Sequence, residues 1–347
     1  MANVLPNLVD HARMSDPNGT IADIAYMLSQ CNDMLKDMIW QEGNLPLGHK
    51  VSANVALPQG TWRNAGVGVA ASKPLFQQYQ FGIGELVDYS MVDKSVALLN
   101  GNLAKFRLTQ DQTHIQGLSQ QVAGAMLYSN EATNLSQFTG FMPYYSTVST
   151  TNAQSAKNVL DAGGTASANA SILLVGWGDD TTFGIYPKGS QAGLIYEDKG
   201  DVTPLYDSNN LRFEGYTSYF AWKVGLCVKN WQYNVRIANI DTTTAGLLGT
   251  APPDLYVLMS RAAVKLPTAP RRLSGIEQVD SPGDPQPGIA PAFYCNRTIR
   301  EFLDIQAIRD KNVLLSSKDY AGEPVMQFRD INIRVVDQML NSEGRVV

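Results

Sequence analysis

Apolar residues recur along this chain with two periods, and the switches between them mark out its elements. From Thr20 to about Trp40, Ile21, Ile24, Ala25, Leu28, Leu35, Met38 and Ile39 fall at helical spacing. Thr20 with Asp23 forms a variant capping box, and Gly43 stands as a stop. The period then becomes two. Val51, Ala53, Val55 and Leu57 alternate with Lys50, Ser52, Asn54 and Ala56, the pattern of a strand. After a tip rich in small residues, Pro58 to Pro74, the alternation resumes at Leu75, Tyr79, Phe81, Ile83 and Val87. The pattern predicts a long hairpin with a wide tip. An isolated hairpin is marginal in water. A flat, weakly charged one with Trp62 near its tip is an aggregation hazard if left bare. It is expected to lie on a neighbouring subunit, the alternative being a hairpin folded onto its own domain.

Thr109 to Ser129 reads as a second long helix, with Ile115, Leu118, Val122, Ala125 and Met126 on its apolar face. Asp111 is its one formal charge and five glutamines supply its polarity, so it is expected to be covered on several sides. Ser146 to Ser171 reads as a loop interrupted by Ala156 to Leu160. Ile172 to Val175 reads as a buried strand, Gly176 to Asp180 as a turn, and Phe183 to Tyr186 as a strand. Tyr219 to Ile240 is strand-rich. Pro252 and Pro253 precede a helix from Asp254 to Leu266. Pro267 to Pro291, with six of the 17 prolines, reads as a long loop. A helix from Asn296 to about Lys311 and a strand at Ile331, Ile333 and Val335 end the chain. No repeat recurs at a fixed period.

Composition sharpens this picture. Charged residues make up 17% of 347, against about 25% in ordinary domains. A monomer kept soluble by charge looks different; an oligomer with most faces against neighbours fits better. The net charge of −5 argues against a general nucleic-acid binder. Charge is also unevenly placed. Residues 1–42 carry −4, while 43–84 contain no Asp or Glu and carry +3 from Lys50, Arg63 and Lys73. No apolar stretch approaches a membrane span, and the start lacks the pattern of a secretory signal. The Asn-x-Ser/Thr matches at Asn18, Asn134, Asn169 and Asn296 then read as chance. Cys31, Cys227 and Cys295 are too few and too scattered for a disulfide framework or a C-x-x-C metal site.

Candidate chemistry is sparse. His11, His49 and His114 fall on three different predicted elements, and no zinc-protease motif, nucleophile elbow or phosphate loop occurs. The glycine pairs 66/68, 82/84 and 176/178 read as backbone punctuation. Asp179 and Asp180, with Glu197 and Asp198 further on, could serve glycoside hydrolysis, but a solvated turn pair is the plainer reading. Arg271 and Arg272 read as a solvated pair. Tyr144, Tyr145, Tyr216, Tyr219, Trp222 and Trp231 lack interleaved basic residues, which favours packing over stacking on sugars or bases. The expectation is a non-enzymatic assembly protein without metal or cofactor.

Four strings carry a resemblance. M-I-W-Q-E-G-N-L-P-L-G-H at Met38 to His49, D-A-G-G-T at Asp161 to Thr165, G-I-Y-P-K-G-S at Gly184 to Ser190 and W-Q-Y-N-V-R-I-A-N-I-D at Trp231 to Asp241 resemble the major capsid proteins of short-tailed phages. The likeness is good over about Ile24 to Asp241 and weaker beyond. It implies an α+β fold, the Hong Kong-type phage capsid fold. Residues 1–42 would be an N-terminal arm and helix, and 43–88 the extended loop. Residues 89–160 and 219–245 would form the peripheral domain around a spine helix, and 161–218 and 246–347 the axial domain. Tyr233 to Ile240 would join the peripheral sheet. Relatives commonly complete that sheet near the C-terminus, so a mid-chain strand implies a rearranged order.

The resemblance also implies function. The chain would assemble with itself as hexamers and pentamers into an icosahedral shell. That shell would hold double-stranded DNA without sequence-specific binding. Scaffold, portal and a decoration protein would be partners, no membrane would be involved, and assembly would occur in the bacterial host cytoplasm. Lys50, Trp62, Arg63, Lys73, Phe76 and Tyr79 are the expected inter-subunit contacts of the loop. The alternatives are an encapsulin compartment of the same fold, another virion part such as a tail tube or decoration protein, and a carbohydrate-active enzyme using Asp179 or Glu197.

Overall fold

A computed structural model describes residues 32–347 except 100–102, 150, 152–153, 166, 207–209, 244–245, 248, 250–251, 268–288, 311–314, 321–322 and 330. Most of the helix expected from Thr20, His11, Cys31 and the Arg271/Arg272 pair lie outside the described residues.

The central strand is β6 (Asn169–Trp177), buried along its whole length. It pairs antiparallel with β10 (Asn234–Asp241) on one edge and β11 (Ala290–Cys295) on the other. Beyond β10 lies the short parallel β5 (Val159–Asp161). Beyond β11 follow β14 (Ile331–Val335), in parallel, then β13 (Glu323–Phe328) and β12 (Leu315–Tyr320). Both faces of this sheet are covered, which is why β6 reads as a continuous apolar run. Ile172, Leu174, Val235 and Ile237 pack under helices α2 (Leu255–Lys265) and α3 (Arg297–Asp310). Leu173, Val175 and Trp177 point the other way, into a cluster with Val122, Met126, Phe138, Phe141 and Tyr145. Val122 and Met126 belong to α1 (Leu103–Tyr128).

A second block carries the start of α1. β9 (Arg212–Val228) runs antiparallel to both β4 (Gly84–Asp93) and β8 (Leu194–Tyr206). The contact between α1 and this block is largely polar. Arg107 donates to the Asp198 carboxylate and to Ser218 Oγ. Buried Asp111 accepts from Tyr196 Oη at 3.2 Å and Ser218 Oγ at 3.1 Å. His114 Nδ1 meets Asp88 Oδ2 at 2.6 Å while its ring stacks on Phe220. The glutamine-rich helix is covered along one side and not on several: Asp111, Leu118, Val122 and Met126 are buried, whereas Leu108, Gln112, Thr113 and Ile115, the last expected on the apolar face, are exposed. The last residues of β9 pair with β7 (Thr182–Tyr186), whose other edge takes β1 (Trp40–Glu42) in parallel. One strand therefore ties the two blocks together.

Several expectations meet a different geometry. The first helix gives way to strand: after the turn Met34–Asp37, Met38 is extended and β1 runs beside β7. α1 begins six residues before Thr109 because Phe106 is buried with Val92, Val96 and Ala97. Thr109 does not cap; its hydroxyl donates back to Lys105 O. The loop from Ser146 to Ser171 contains β5, whose Val159 and Leu160 are buried. β8 is a 13-residue strand that its charged sequence hides, and it pairs beside α1. Tyr233–Ile240, expected in the peripheral sheet, pairs with β5 and β6. Seven of its strand's eight residues are buried, a pattern that suits a sheet covered on both faces.

Candidate assembly surface

The hairpin forms a two-stranded sheet of its own. β2 (Gly48–Ala56) and β3 (Leu75–Gly82) pair from Gly48↔Gly82 to Asn54↔Phe76, with a register slip before Ala56↔Leu75. The returning strand does not continue to Val87 as one piece. It breaks at Ile83, and β4 leaves to pair with β9.

The root is fixed to the body. Val51 and Phe81 are buried with Phe183, Ile185 and Cys227. His49 meets Phe183 edge-on, ring centroids 5.6 Å apart. The Asn44 side chain brackets Lys50, accepting its N–H and donating to its carbonyl, both at 2.7 Å. The Asn44 backbone N–H donates to His49 Nδ1 at 3.3 Å. Burial, with the Lys229 cation adding to it, holds His49 below the ordinary imidazole range. The ring is then neutral near pH 7 and keeps the Nδ1 lone pair this bond requires. Gly225 lets β9 approach closely, since a Cβ there would sit 2.5 Å from Gly82 O.

Beyond the root the covering ends. Leu57, Trp62, Val67, Val69, Leu75 and Phe76 are all exposed, Trp62 completely. Of the six residues expected to make inter-subunit contacts, Lys50 and Phe76 share one face of the ladder and Tyr79 lies on the other, opposite Val51. Trp62, Arg63 and Lys73 lie in the tip, outside regular structure. Among the described residues Lys50, Arg63 and Lys73 make no ion pair. An exposed apolar strip with unpaired cations is a surface built to be covered.

The competing sites hold less. Asp179 accepts from Gln41, Asp180 pairs with Lys229, and Glu197 pairs with Lys199; all are exposed. Asp179 and Asp180 lie in the turn after β6, whereas Glu197 and Asp198 lie on β8 in the other block. Among the described residues no three His, Cys, Asp or Glu side chains converge as metal ligands. Cys227 and Cys295 are buried thiols pushed up to about 12 by desolvation, which leaves them unreactive. No described helix is long and apolar enough to cross a membrane.

A mixed α+β body that offers a bare apolar and cationic hairpin is suited to building a shell from copies of itself. The model of one such family, major capsid protein GP7, matches residues 16–347, and the chain belongs to that family. A chain of the bacteriophage epsilon15 structure is 28% identical and superposes with a TM-score of 0.75, over 100% of this chain and 98% of that one. The capsid of bacteriophage JBD30 is 11% identical with a TM-score of 0.43, over 97% and 99% of the two chains. The SrpI encapsulin of Synechococcus elongatus is 9% identical with a TM-score of 0.44, over 68% and 96%. No curated protein matches the chain. The chain is thus the major capsid protein of a tailed phage, has the Hong Kong-type fold and forms part of an icosahedral capsid.

Proposed function

We propose that the hairpin is the extended loop of the capsid subunit and that it is completed by lying across an adjacent copy. The carrying observation is its exposure: its root is packed while its apolar and cationic residues are bare. Copies related by a heterologous contact close into rings when the rotation is right, and here the rings would be hexamers and pentamers. The apolar residues would supply most of the affinity, at about 25 cal/mol per Å2 buried. Lys50, Arg63 and Lys73 would set register and speed encounter more than they add affinity. Residues 1–42 would act as the arm, and 43–88 as the loop. The peripheral domain would comprise α1 and the strands beside it, and the axial domain the layered sheet with α2 and α3.

The role is structural rather than enzymatic. The closed shell would hold double-stranded DNA without reading its sequence, and the net negative charge disfavours tight phosphate binding. Assembly would take place in the host cytoplasm with a scaffold and a portal, and a decoration protein would be a further partner. Replacing Lys50, Arg63 and Lys73 together by Glu tests the loop. Unassembled, folded subunits are the expected result. Normal closed particles by electron microscopy would remove the electrostatic part of the reading.

A further inference from the structure

The central sheet is packed differently on its two faces. Under α2 and α3 the buried side chains include Ile172, Ile237, Ile240, Ile299 and Ile333, with Met259 as the one methionine among the described buried members. On the α1 face the proportion is reversed. Met34, Met38, Met126, Met142 and Met339 are buried together, and no isoleucine is among the described buried members of that cluster. Isoleucine branches at Cβ and is stiff about χ1. Methionine is unbranched, turns about three bonds and refills an irregular gap when its neighbours move. A core filled with it specifies one arrangement less sharply.

The methionines also sit where the backbone is least regular. Met34 lies in the turn Met34–Asp37, and Met38 follows it. Met142 belongs to the single helical turn Phe141–Tyr144, and Met339 lies in the terminal segment after β14. Met126 joins them from α1. The isoleucines of the other face all stand on strands or on α3. Polar contacts hold the irregular segments at a few points. Asp37 accepts from Tyr294 Oη at 2.8 Å and lies 3.3 Å from Arg334 Nη2. Leu340 N donates to Tyr128 Oη at 2.9 Å, and a bridge joins Asn32 to Val336. Between these points the thioethers pack on aliphatic and aromatic surface.

We infer that the α1 face of the sheet is an adaptable joint. It lets α1, the segment entering β1 and the segment after β14 shift on the sheet as a subunit settles among different neighbours, while the α2–α3 face stays fixed. The inference rests on the reading that one chain fills both hexamers and pentamers, and adds which layer absorbs the difference. Close-packed interiors are hardly compressible and pass strain on. A layer of branched side chains would hand the strain of a changed neighbour to the whole body. A thioether layer takes it up by exchanging rotamers, and the polar contacts at Asp37 and Tyr128 keep the segments attached meanwhile.

The joint is tested first in the full parent chain, by NMR relaxation dispersion of 13C-labelled methionine methyl groups in the unassembled subunit. Exchange on the microsecond to millisecond scale is expected at Met34, Met126, Met142 and Met339, and none at Met259. Equal behaviour of the two groups would overturn the joint and leave the capsid role untouched. The second test replaces those four methionines by leucine, a volume-conserving swap. Met38 is kept because its sulfur packs against Gly184, where a Cβ would sit 2.9 Å away. The four-leucine subunit is expected to keep the parent's urea midpoint and to slow hydrogen exchange along residues 336–346 roughly five-fold. It should lose most closed shells by electron microscopy. Met259→Leu with Met326→Leu, on the fixed face, should assemble like the parent. A folded four-leucine subunit that closes shells at the parental yield would overturn the joint while leaving the two ring types intact. Parent shells built of one ring type alone would overturn both. If the four-leucine chain does not fold, the methyl contrast in the parent decides by itself.

Discussion

Arg236 Nη2 lies 2.8 Å from Glu343 Oε2, and each side chain is only 5% exposed. This buried pair joins the middle of the chain to its final residues. Glu343 also accepts from Tyr128 Oη at 2.5 Å and from Ser171 Oγ, while Arg236 donates to Tyr145 O at 2.9 Å. Around the pair the terminal segment is stitched to the sheet: Glu343 N to Asn169 O, and Val346 N to Asn239 Oδ1. Tyr128 is the last residue of α1, so the strap fastens the long helix to β6 and β10. Desolvation, strengthened by the neighbouring carboxylate, raises the Tyr128 phenol far above its ordinary value, so the phenol donates at every physiological pH.

Removing one partner of a buried, hydrogen-bonded pair strands the other charge, at a cost of about 3–5 kcal/mol. Glu343→Ala is expected to destabilise the unassembled subunit by that amount in urea unfolding. Glu343→Gln keeps an acceptor for Tyr128 and should lose less. The double change Arg236→Met with Glu343→Leu removes both charges and should recover much of the loss. A Glu343→Ala subunit as stable as the parent would show that the strap is not a structural fastener.

The legible parts of the fold were those where one period ruled a whole element. β2 alternates cleanly because one face of it is solvated, and α2 and α3 announce themselves through helical spacing, although their capping residues were not singled out. Asp254 accepts from Val257 N and Asn296 accepts from Ile299 N, each at the start of its helix. β8 was hidden because Glu197, Asp198, Lys199 and Asp201 sit on a strand whose charges are paired to Lys199, Arg107 and Lys94 in the fold. No local pattern reports such partners. The strap was hidden for a related reason: a lone Glu343 in Asn-Ser-Glu-Gly-Arg looks solvated, and its partner lies 107 residues away. The assembly surface was legible as a stretch, through its missing acids and a Trp62 near the tip of an alternating hairpin. The root clamp of Asn44 and His49 was not, since it depends on the turn between β1 and β2.

Trp62 is fully exposed among the described residues, so Trp62→Ala should leave urea unfolding of the isolated subunit within about 0.5 kcal/mol of the parent. If the tip anchors the contact between copies, the same change should cost about 2 kcal/mol or more per interface. Summed over a closed ring, that suffices to abolish shells at concentrations where the parent assembles. Light scattering during assembly checks the prediction. Parent-like assembly would show that the tip adds no anchoring energy.

The two described cysteines should behave as core residues. Cys227 and Cys295 are fully buried, and their thiols are pushed up to about 12, so almost no thiolate exists near pH 8. A maleimide should label neither thiol in the native subunit and both once it is unfolded in urea. Because Cys227 packs at the hairpin root with Phe81, early labelling of that thiol alone would report local opening of the root.

The root should also loosen in acid, and the sign follows from His49. Its folded-state value is depressed below the ordinary 6.5 by burial and by Lys229. The unfolded chain therefore binds a proton that the folded one resists. The stabilisation is complete above about pH 6.5 and is lost as pH falls from there through the lower folded value. Protonation would also remove the Nδ1 acceptor from the Asn44 N–H and place a second cation near Lys229. Hydrogen exchange at residues 48–52 should thus quicken, after correction for intrinsic rates, between pH 7 and pH 5. His49→Gln, which cannot titrate, should flatten that dependence. An unchanged pH profile in the variant would assign the loosening to another group.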